Sequence, residues 1–413
     1  MKTVVLDDDP TGTQSATGVR VLLEFNADSI ESALAEADSV YVQTNSRAID
    51  EGAAIALVSA VRDDSLEAGR RLGVPVQFVL RGDSTLRGHV FAESEVFADP
   101  ESVIVFVPAF PAGGRTTVEG VHYVELGGQR VAAHETEFAR DPIFPFTSSD
   151  LTAYVAEKST RTATRVAAAV VRSGGFGAAL LAASPGSVVV PDAETDDDIR
   201  AIAAGIRFAR EHGLIAIVRS AAPLAAELAG VPSDGLLPTP LRAGPVRTLL
   251  ACGSHTDGAT AQLAEVVARF GDAVVVDTDL AMRDASSEGA RVASTALTDA
   301  ATSGIAIIST ERHRRAEHNT LADAERVMAA LTAAASAIAA SVAVVEAKGG
   351  ITAAELARTG LGATSAWVLG QVLPGVSVWD LVTAEGDHKI YVVVPGNVGG
   401  PDTLVRILAA VGC

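Results

Sequence analysis

Three consecutive aspartates, Asp7, Asp8 and Asp9, cut short an apolar run from Val4 to Leu6 and are followed at once by the turn formers Pro10 and Gly12. The run reads as a buried parallel strand, and ligands in open α/β sheets bind at the carboxyl ends of strands. Like charges stacked there raise one another's proton affinity unless a cation, a donor or a substrate hydroxyl offsets them. The bland alternative is a solvated acidic turn that caps the next segment. A second dense stretch is RGDSTLRGH, residues 81 to 89. Arg81 and Arg87 can each grip a carboxylate or phosphate through two parallel hydrogen bonds, and Asp83 can accept a proton. Read blandly, Asp83, Ser84 and Thr85 only cap a following helix and the arginines pair with nearby acids. A third stretch, PAFPAGGRTTVEG from Pro108 to Gly120, reads as a shaped loop in which Arg115, Thr116 and Thr117 supply donors. RDPIFPFTSSDL, Arg140 to Leu151, is either a lid or a linker anchored by Phe144 and Phe146, with a cap for the next helix among Thr147, Ser148, Ser149 and Asp150.

Elements must hold these groups in place. Strands are expected at Val19 to Phe25, Val40 to Thr44, Val76 to Leu80, Val103 to Val107, Val188 to Val190 and Ile215 to Val218. Helices are expected over Ser29 to Ala37 behind a Ser cap, Ala53 to Leu72, and about Asp196 to His212. The alternation predicts layered α/β domains with mostly parallel sheets. Asp196, Asp197 and Asp198 fall in a helix's first turn, where negative charge is favourable, and take a structural role. VPSDGLLPTPLRAGP, Val231 to Pro245, is dense in proline and glycine and marks a boundary. Domains over 1–235 and 246–413 follow.

Beyond it, strands are expected at Val246 to Ala251, Val274 to Val276, Ile305 to Ile308, Val342 to Glu346 and Tyr391 to Val394. Three strand ends there carry glycine, at 253, 349 and 396, and glycine lets a backbone approach a ligand closely. Gly253 and Ser254 precede a helix started by Thr256 or Asp257, a layout that suits a phosphate. In KGGITAAEL, Lys348 to Leu356, Thr352 is placed to cap a helix. His313, Arg314, Arg315 and His318 read as a solvated basic run.

With 413 residues, 48% hydrophobic and 20% charged, the chain is globular and long enough for two cores. The net charge of -19 leaves no excess of Lys and Arg to neutralise phosphates, which excludes a general nucleic-acid binder. Neither a signal peptide nor a membrane span is legible, so a cytoplasmic protein is expected. Two cysteines, Cys252 and Cys413, supply neither a disulfide framework nor a thiolate metal site. No GxxxxGK(S/T) loop, GxGxxG after a strand, HExxH or GxSxG elbow occurs.

DDDPTGTQ, RGDSTLRGH, PAFPAGGRTT and DPIFPFTSSDL in the first half, with CGS, KGGIT, LGQVLPGV and PGNVGGPD in the second, resemble the four-carbon acid sugar kinases over nearly the whole chain. That family phosphorylates tetronates such as threonate, erythronate or 3-oxo-tetronate at the terminal hydroxyl using ATP. The resemblance implies two domains, acid sugar on the first and ATP with Mg2+ on the second, and an active site in the interdomain cleft. It implies that Asp8, Asp9, Arg81, Asp83, Ser84 and Arg87 face the acid sugar, and Ser254, Gly349, Gly350, Thr352, Gly396, Asn397 and Gly399 face ATP. Asp83 is the candidate base, with Asp8 and Asp9 beside it, and Arg115 joins the substrate-binding set. The partners expected are the acid sugar and ATP, without nucleic acid or membrane; a homo-oligomer is left open. Relatives read closer to ADDLTGA and SGNFG where this chain has DDDPTGTQ and PGNVG. Two rival readings stand beside it. Asp7, Asp9 and Thr11 match the DxDxT loop of haloacid-dehalogenase phosphatases, with Asp7 as nucleophile and Asp9 as acid and base. A non-catalytic sugar-acid binding protein is the other.

Overall fold

A computed structural model describes residues 1–313, 318, 320–396 and 398–413, with the backbone alone at 321. Arg314, Arg315 and Asn397, named above, lie outside the described residues. The chain forms two compact units, Met1–Pro232 and Ser233–Cys413.

The first unit carries β1 (Lys2–Asp7), β2 (Val19–Leu22), β3 (Ser39–Gln43), β4 (Val76–Arg81), β5 (Val103–Val107), β6 (Arg115–Val118), β7 (Val121–Leu126), β8 (Gln129–Ala132), β9 (Ala163–Val166), β10 (Val188–Pro191) and β11 (Ala216–Ser220). Among the described residues its main sheet runs β2-β3-β1-β4-β11-β5-β10-β9, with neighbours parallel throughout. Strands buried on both faces read as unbroken apolar runs, and Val4, Val5 and Leu6 are all buried. Val4 and Leu6 pack with Ile30, Leu34, Val58 and Val61 of the helices Ala27–Glu36 and Glu51–Leu72. Each such side chain contributes about 1.5–3 kcal/mol relative to exposure.

Register decides what meets at the carboxyl edge. Asp7 lies opposite both Gln43 of β3 and Arg81 of β4, and Arg81 lies opposite Ser220 of β11. Because side chains alternate between faces, Asp7 and Arg81 share one side while Asp8 and Arg219 share the other.

Several local expectations are corrected. The helix expected behind a Ser cap is capped by Asn26, with Ser29 completing a capping box. Ser84 and Thr85 cap nothing, since the helix Val90–Glu95 begins at His89 without a side-chain cap. The PAFPAGGRTTVEG stretch is only partly a loop. Arg115–Val118 pairs with β7, and β7 with β8, in an antiparallel sheet whose alternation sequence reading passed over. The segment 140–151 is anchored: Phe146 is buried against Tyr154, Phe144 meets His89 edge-on, and Asp150 caps the helix Leu151–Lys158. Asp198 is more than a first-turn charge, since it is buried in a capping box with Thr195 and bound by Arg172.

The second unit carries β12 (Thr248–Cys252), β13 (Val274–Val275), β14 (Ile305–Ser309), β15 (Val344–Lys348), β16 (Ser365–Leu373), β17 (Val376–Val382) and β18 (His388–Val394). Among the described residues the order is β13-β14-β12-β15-β18-β17-β16, parallel up to β18 and antiparallel beyond it. Leu250, Cys252, Val392 and Val394 pack with Leu263 and Val266 of the helix Asp257–Phe270 and with Leu404 and Leu408 of the helix Thr403–Val411. Thr352 is not a cap, because Gly349 is the N-cap of Gly350–Glu355 and Thr352 sits inside that helix. No helix among the described residues is long and apolar enough to cross a membrane.

Candidate active site

In the first unit Arg81 is the hub. Its Nη1 lies 3.0 Å from Asp7, 3.3 Å from Asp8 and 3.2 Å from Asp9, and its Nη2 donates to the Thr11 hydroxyl at 3.1 Å. Arg47 bridges the next layer, pairing with Asp9 and lying 3.6 Å from both Asp8 and Asp83. Arg87 donates to Asp83 at 2.9 Å and stands 3.5 Å from Asp141, with its guanidinium over the Phe138 ring. On the other side of the strand end, Arg219 lies 3.4 Å from Asp8 and pairs with Glu93. The three aspartates are therefore not a solvated turn. They are buried, and arginines from three other segments pair with them.

Environment separates these carboxyls. Burial pushes Asp7 up to about 7 against the pull of Arg81. Burial acts on Asp83 too, but Arg87, Arg47 and a bond from Thr85 overcome it and hold this carboxyl well below the usual range. Asp83 is thus ionised at neutral pH. Arg115 is also buried, which lowers its pKa, and the charges of Asp83, Arg87 and Glu125 act on it.

The 81–89 loop is held from outside. His122 of β7 bridges the Ser84 carbonyl at 2.9 Å and the Thr117 hydroxyl at 3.1 Å, and burial lowers its pKa to about 4. A neutral imidazole then donates at Nε2 and accepts at Nδ1. Tyr154 donates to the Leu86 carbonyl at 2.7 Å. Leu86 sits at φ +70, a region a leucine adopts only when its surroundings impose it, and such strain gathers at functional loops.

In the second unit the three glycine turns follow neighbouring strands, β12, β15 and β18, and so converge. A Cβ added at Gly349 would come within 3.3 Å of Ser254, one at Gly396 within 2.8 Å of the Ser254 hydroxyl, and one at Gly253 would strike Thr352. The Thr256 hydroxyl donates to the Gly396 carbonyl at 2.8 Å, and Arg312 donates to the Ser254 carbonyl at 2.6 Å. Ser254, Gly349, Gly350, Thr352 and Gly396 belong to this cluster. Gly399 is set further along, tied in by Gln262 at 3.3 Å and closed over by Thr403.

Residues 3–228 match the family model of a sugar-binding N-terminal domain, and 249–404 that of a nucleotide-binding C-terminal domain. A D-threonate kinase of Salmonella typhimurium LT2 is 31% identical over 340 residues, 78% of this chain and 74% of that protein. The chain belongs to the four-carbon acid sugar kinase family. A D-erythronate kinase of Heliobacterium modesticaldum is 31% identical over 61% of the chain and 57% of that protein. A D-threonate kinase of Bordetella bronchiseptica is 32% identical over 49% of the chain and 47% of its own length. The chain thus spans about half the length of these last two relatives. Among solved structures, one described as a putative tRNA synthase from Salmonella typhimurium LT2 superposes with a TM-score of 0.68 at 19% identity, covering 98% of both chains. A Haemophilus influenzae protein superposes with a TM-score of 0.64 at 18% identity, over 99% of this chain and 100% of that one. Both show the fold.

Within this kinase fold the phosphatase reading fails on geometry. Asp7 is wholly buried, clamped by Arg81, and a Cβ on Gly12 would collide with its carboxylate, so the turn roofs it over and no phosphoryl group can reach it. Sequence reasoning left Arg47, Glu93, His122 and Arg219 out of the candidate site. Arg219 had a signal, an arginine inside the apolar strand AIVRS. Glu93 and His122 had none, because only folding places them.

Proposed function

We propose that this chain transfers the γ-phosphoryl group of ATP to the terminal hydroxyl of a four-carbon sugar acid, giving the 4-phosphate. D-Threonate and D-erythronate, the acids in the relatives' names, are the first candidates, with 3-oxo-tetronates after them. The observation that carries this reading is the carboxylate and arginine cluster at the ends of β1, β4 and β11.

Exposure divides the labour within it. The Arg81 and Arg219 side chains are only 2% exposed, whereas Arg47 and Arg87 reach 15% and 23%. Arg47 and Arg87, with Arg115 nearby, are suited to grip the acid's carboxylate, while Arg81 holds Asp8 and Asp9 in place. The bonds from Thr85 and Arg87 and the approach of Arg47 all fall on Asp83 Oδ2. We assign the Oδ1 side to the acceptor hydroxyl. A carboxylate kept this acidic orients a hydroxyl more readily than it removes the proton early, which suits a loose phosphoryl-transfer transition state. Ser84 closes the same loop.

Ser254, Gly349, Gly350, Thr352, Gly396 and Gly399 are assigned to ATP, since close turns with small side chains let the backbone approach a ligand and set the Ser254 and Thr352 hydroxyls among them. Among the described residues no trio of His, Cys, Asp or Glu is arranged to hold a metal ion. Mg2+, as the partner of the ATP phosphates, would offset their charge.

The test is ADP release from ATP and Mg2+ against D- and L-threonate, erythronate and 3-oxo-tetronates, with free phosphate followed in parallel. Acid-dependent ADP without free phosphate is expected. Silence across the panel, with phosphate released from sugar phosphates, would sink the reading.

A further inference from the structure

Lys348 ends β15 with its side chain fully buried, an uncommon place for an ammonium. Its surroundings explain what it does there. The Lys348 carbonyl accepts from Gly253 N–H and Ser254 N–H, both at 3.2 Å, which ties down the first glycine turn. The next residue, Gly349, donates its N–H to the Val394 carbonyl at 2.8 Å. The Lys348 ammonium donates to the Pro395 carbonyl at 2.6 Å, immediately before Gly396. One residue thus joins all three turns. Burial lowers the Lys348 pKa to about 8, so at neutral pH the side chain is still mainly the ammonium and its hydrogen bond is charge-assisted, hence stronger than a neutral one. Nearby, both Glu346 oxygens are buried without a partner among the described residues, and burial raises its pKa well above the ordinary value against the pull of Lys348.

We propose that Lys348 is a positioning residue for the nucleotide, fixing the Pro395–Gly396 turn against the Ser254 turn so that both face one phosphate group. This rests on the assignment of the glycine turns to ATP. An apolar side chain of similar length would fill the same space without the cost of burying a charge, but it would leave the Pro395 carbonyl without its donor. The test is Lys348→Met, read by steady-state kinetics, thermal unfolding and ADP calorimetry. A rise of about tenfold or more in the KM for ATP is expected, with kcat within about threefold, the KM for the acid unchanged, and a melting temperature close to wild type, since the lost hydrogen bond and the relieved buried charge oppose each other. Lys348→Gln, which keeps a shorter donor, is expected to fall between wild type and Met. Glu346→Gln, which keeps the shape of the side chain, is expected to leave the KM for ATP within about twofold.

A Met variant with an unchanged KM for ATP overturns the proposal, as does one that loses acid affinity and stability in step with nucleotide affinity. A Gln variant weaker than Met overturns it too, and so does a Glu346→Gln variant that shifts the KM for ATP several-fold. Absence of ADP binding by the wild type would overturn the nucleotide assignment and this proposal with it. ADP binding equal in wild type and Met would overturn this proposal alone.

Discussion

Asp83 and His122 are the side chains whose protonation states the fold sets most clearly. Replacing Asp83 by Asn keeps its shape and removes the charge that would orient the acceptor. A fall in kcat of about 10²–10⁴ is expected, with the KM for ATP little changed and the fold intact by circular dichroism. Near-normal turnover would remove Asp83 from the mechanism. His122 and Asp7 make opposite contributions to stability. His122, ordinarily at 6.5, is held near 4, so between those values the unfolded chain binds the extra proton and stability falls as pH falls. Asp7, ordinarily at 3.8, is raised to about 7, so the folded chain keeps a proton the unfolded one has lost and stability falls as pH rises. Between about pH 4 and 6.5 these slopes, each about 1.4 kcal/mol per pH unit, cancel. Subtracting wild-type from His122→Asn stability, measured by urea unfolding, should therefore leave a decline of about 1.4 kcal/mol per unit as pH rises through this window. A flat difference would show that His122 is not held neutral.

Turns, more than strands, carry the specificity of these elements. Gly396→Ala places a methyl group 2.8 Å from the Ser254 hydroxyl, closer than real Cβ contacts come, so that hydroxyl must turn away from its place in the cluster. The expected outcome is a rise of about tenfold in the KM for ATP with the KM for the acid unchanged; an alanine variant with normal ATP kinetics would mean that the nucleotide does not use this turn. The 81–89 loop follows the same logic, since the bonds from His122 and Tyr154 hold Leu86 in its left-handed conformation. Strand periods alone did not reveal those supports. The antiparallel β6–β8 layer that brings His122 to Ser84 lies partly inside a stretch whose prolines and glycines read as loop.

Across the whole molecule, each unit has its own core, and each is proposed to bind its own ligand. A ligand at a hundred times its Kd stabilises the state that binds it by about 2.7 kcal/mol, and hydrogen exchange reads where that protection falls. ADP alone should slow exchange around Gly253, Gly349 and Gly396, and D-threonate alone around residues 81 to 89. Protection of the opposite segments would reverse the assignment of ligands. The formal charge of -19 does not oppose an anionic substrate here, because the arginines that would meet it are concentrated at one strand edge.

Much of this was legible in the chain itself. Apolar runs ending in Asp7, Arg81 and Gly253 named the strands and their chemically active ends, because hydrophobic period and turn residues are local properties. The motifs carried the family for the same reason. Strand order and register are not local, and they alone set Asp7 opposite Arg81 and brought Arg219 of β11 to Asp8, a residue more than two hundred positions away. The three aspartates show the difference most plainly. As sequence they are three like charges that repel; only pairing of β1 with β4 and β3 surrounds them with Arg81 and Arg47, which makes their burial affordable and leaves Asp83 the more accessible carboxylate.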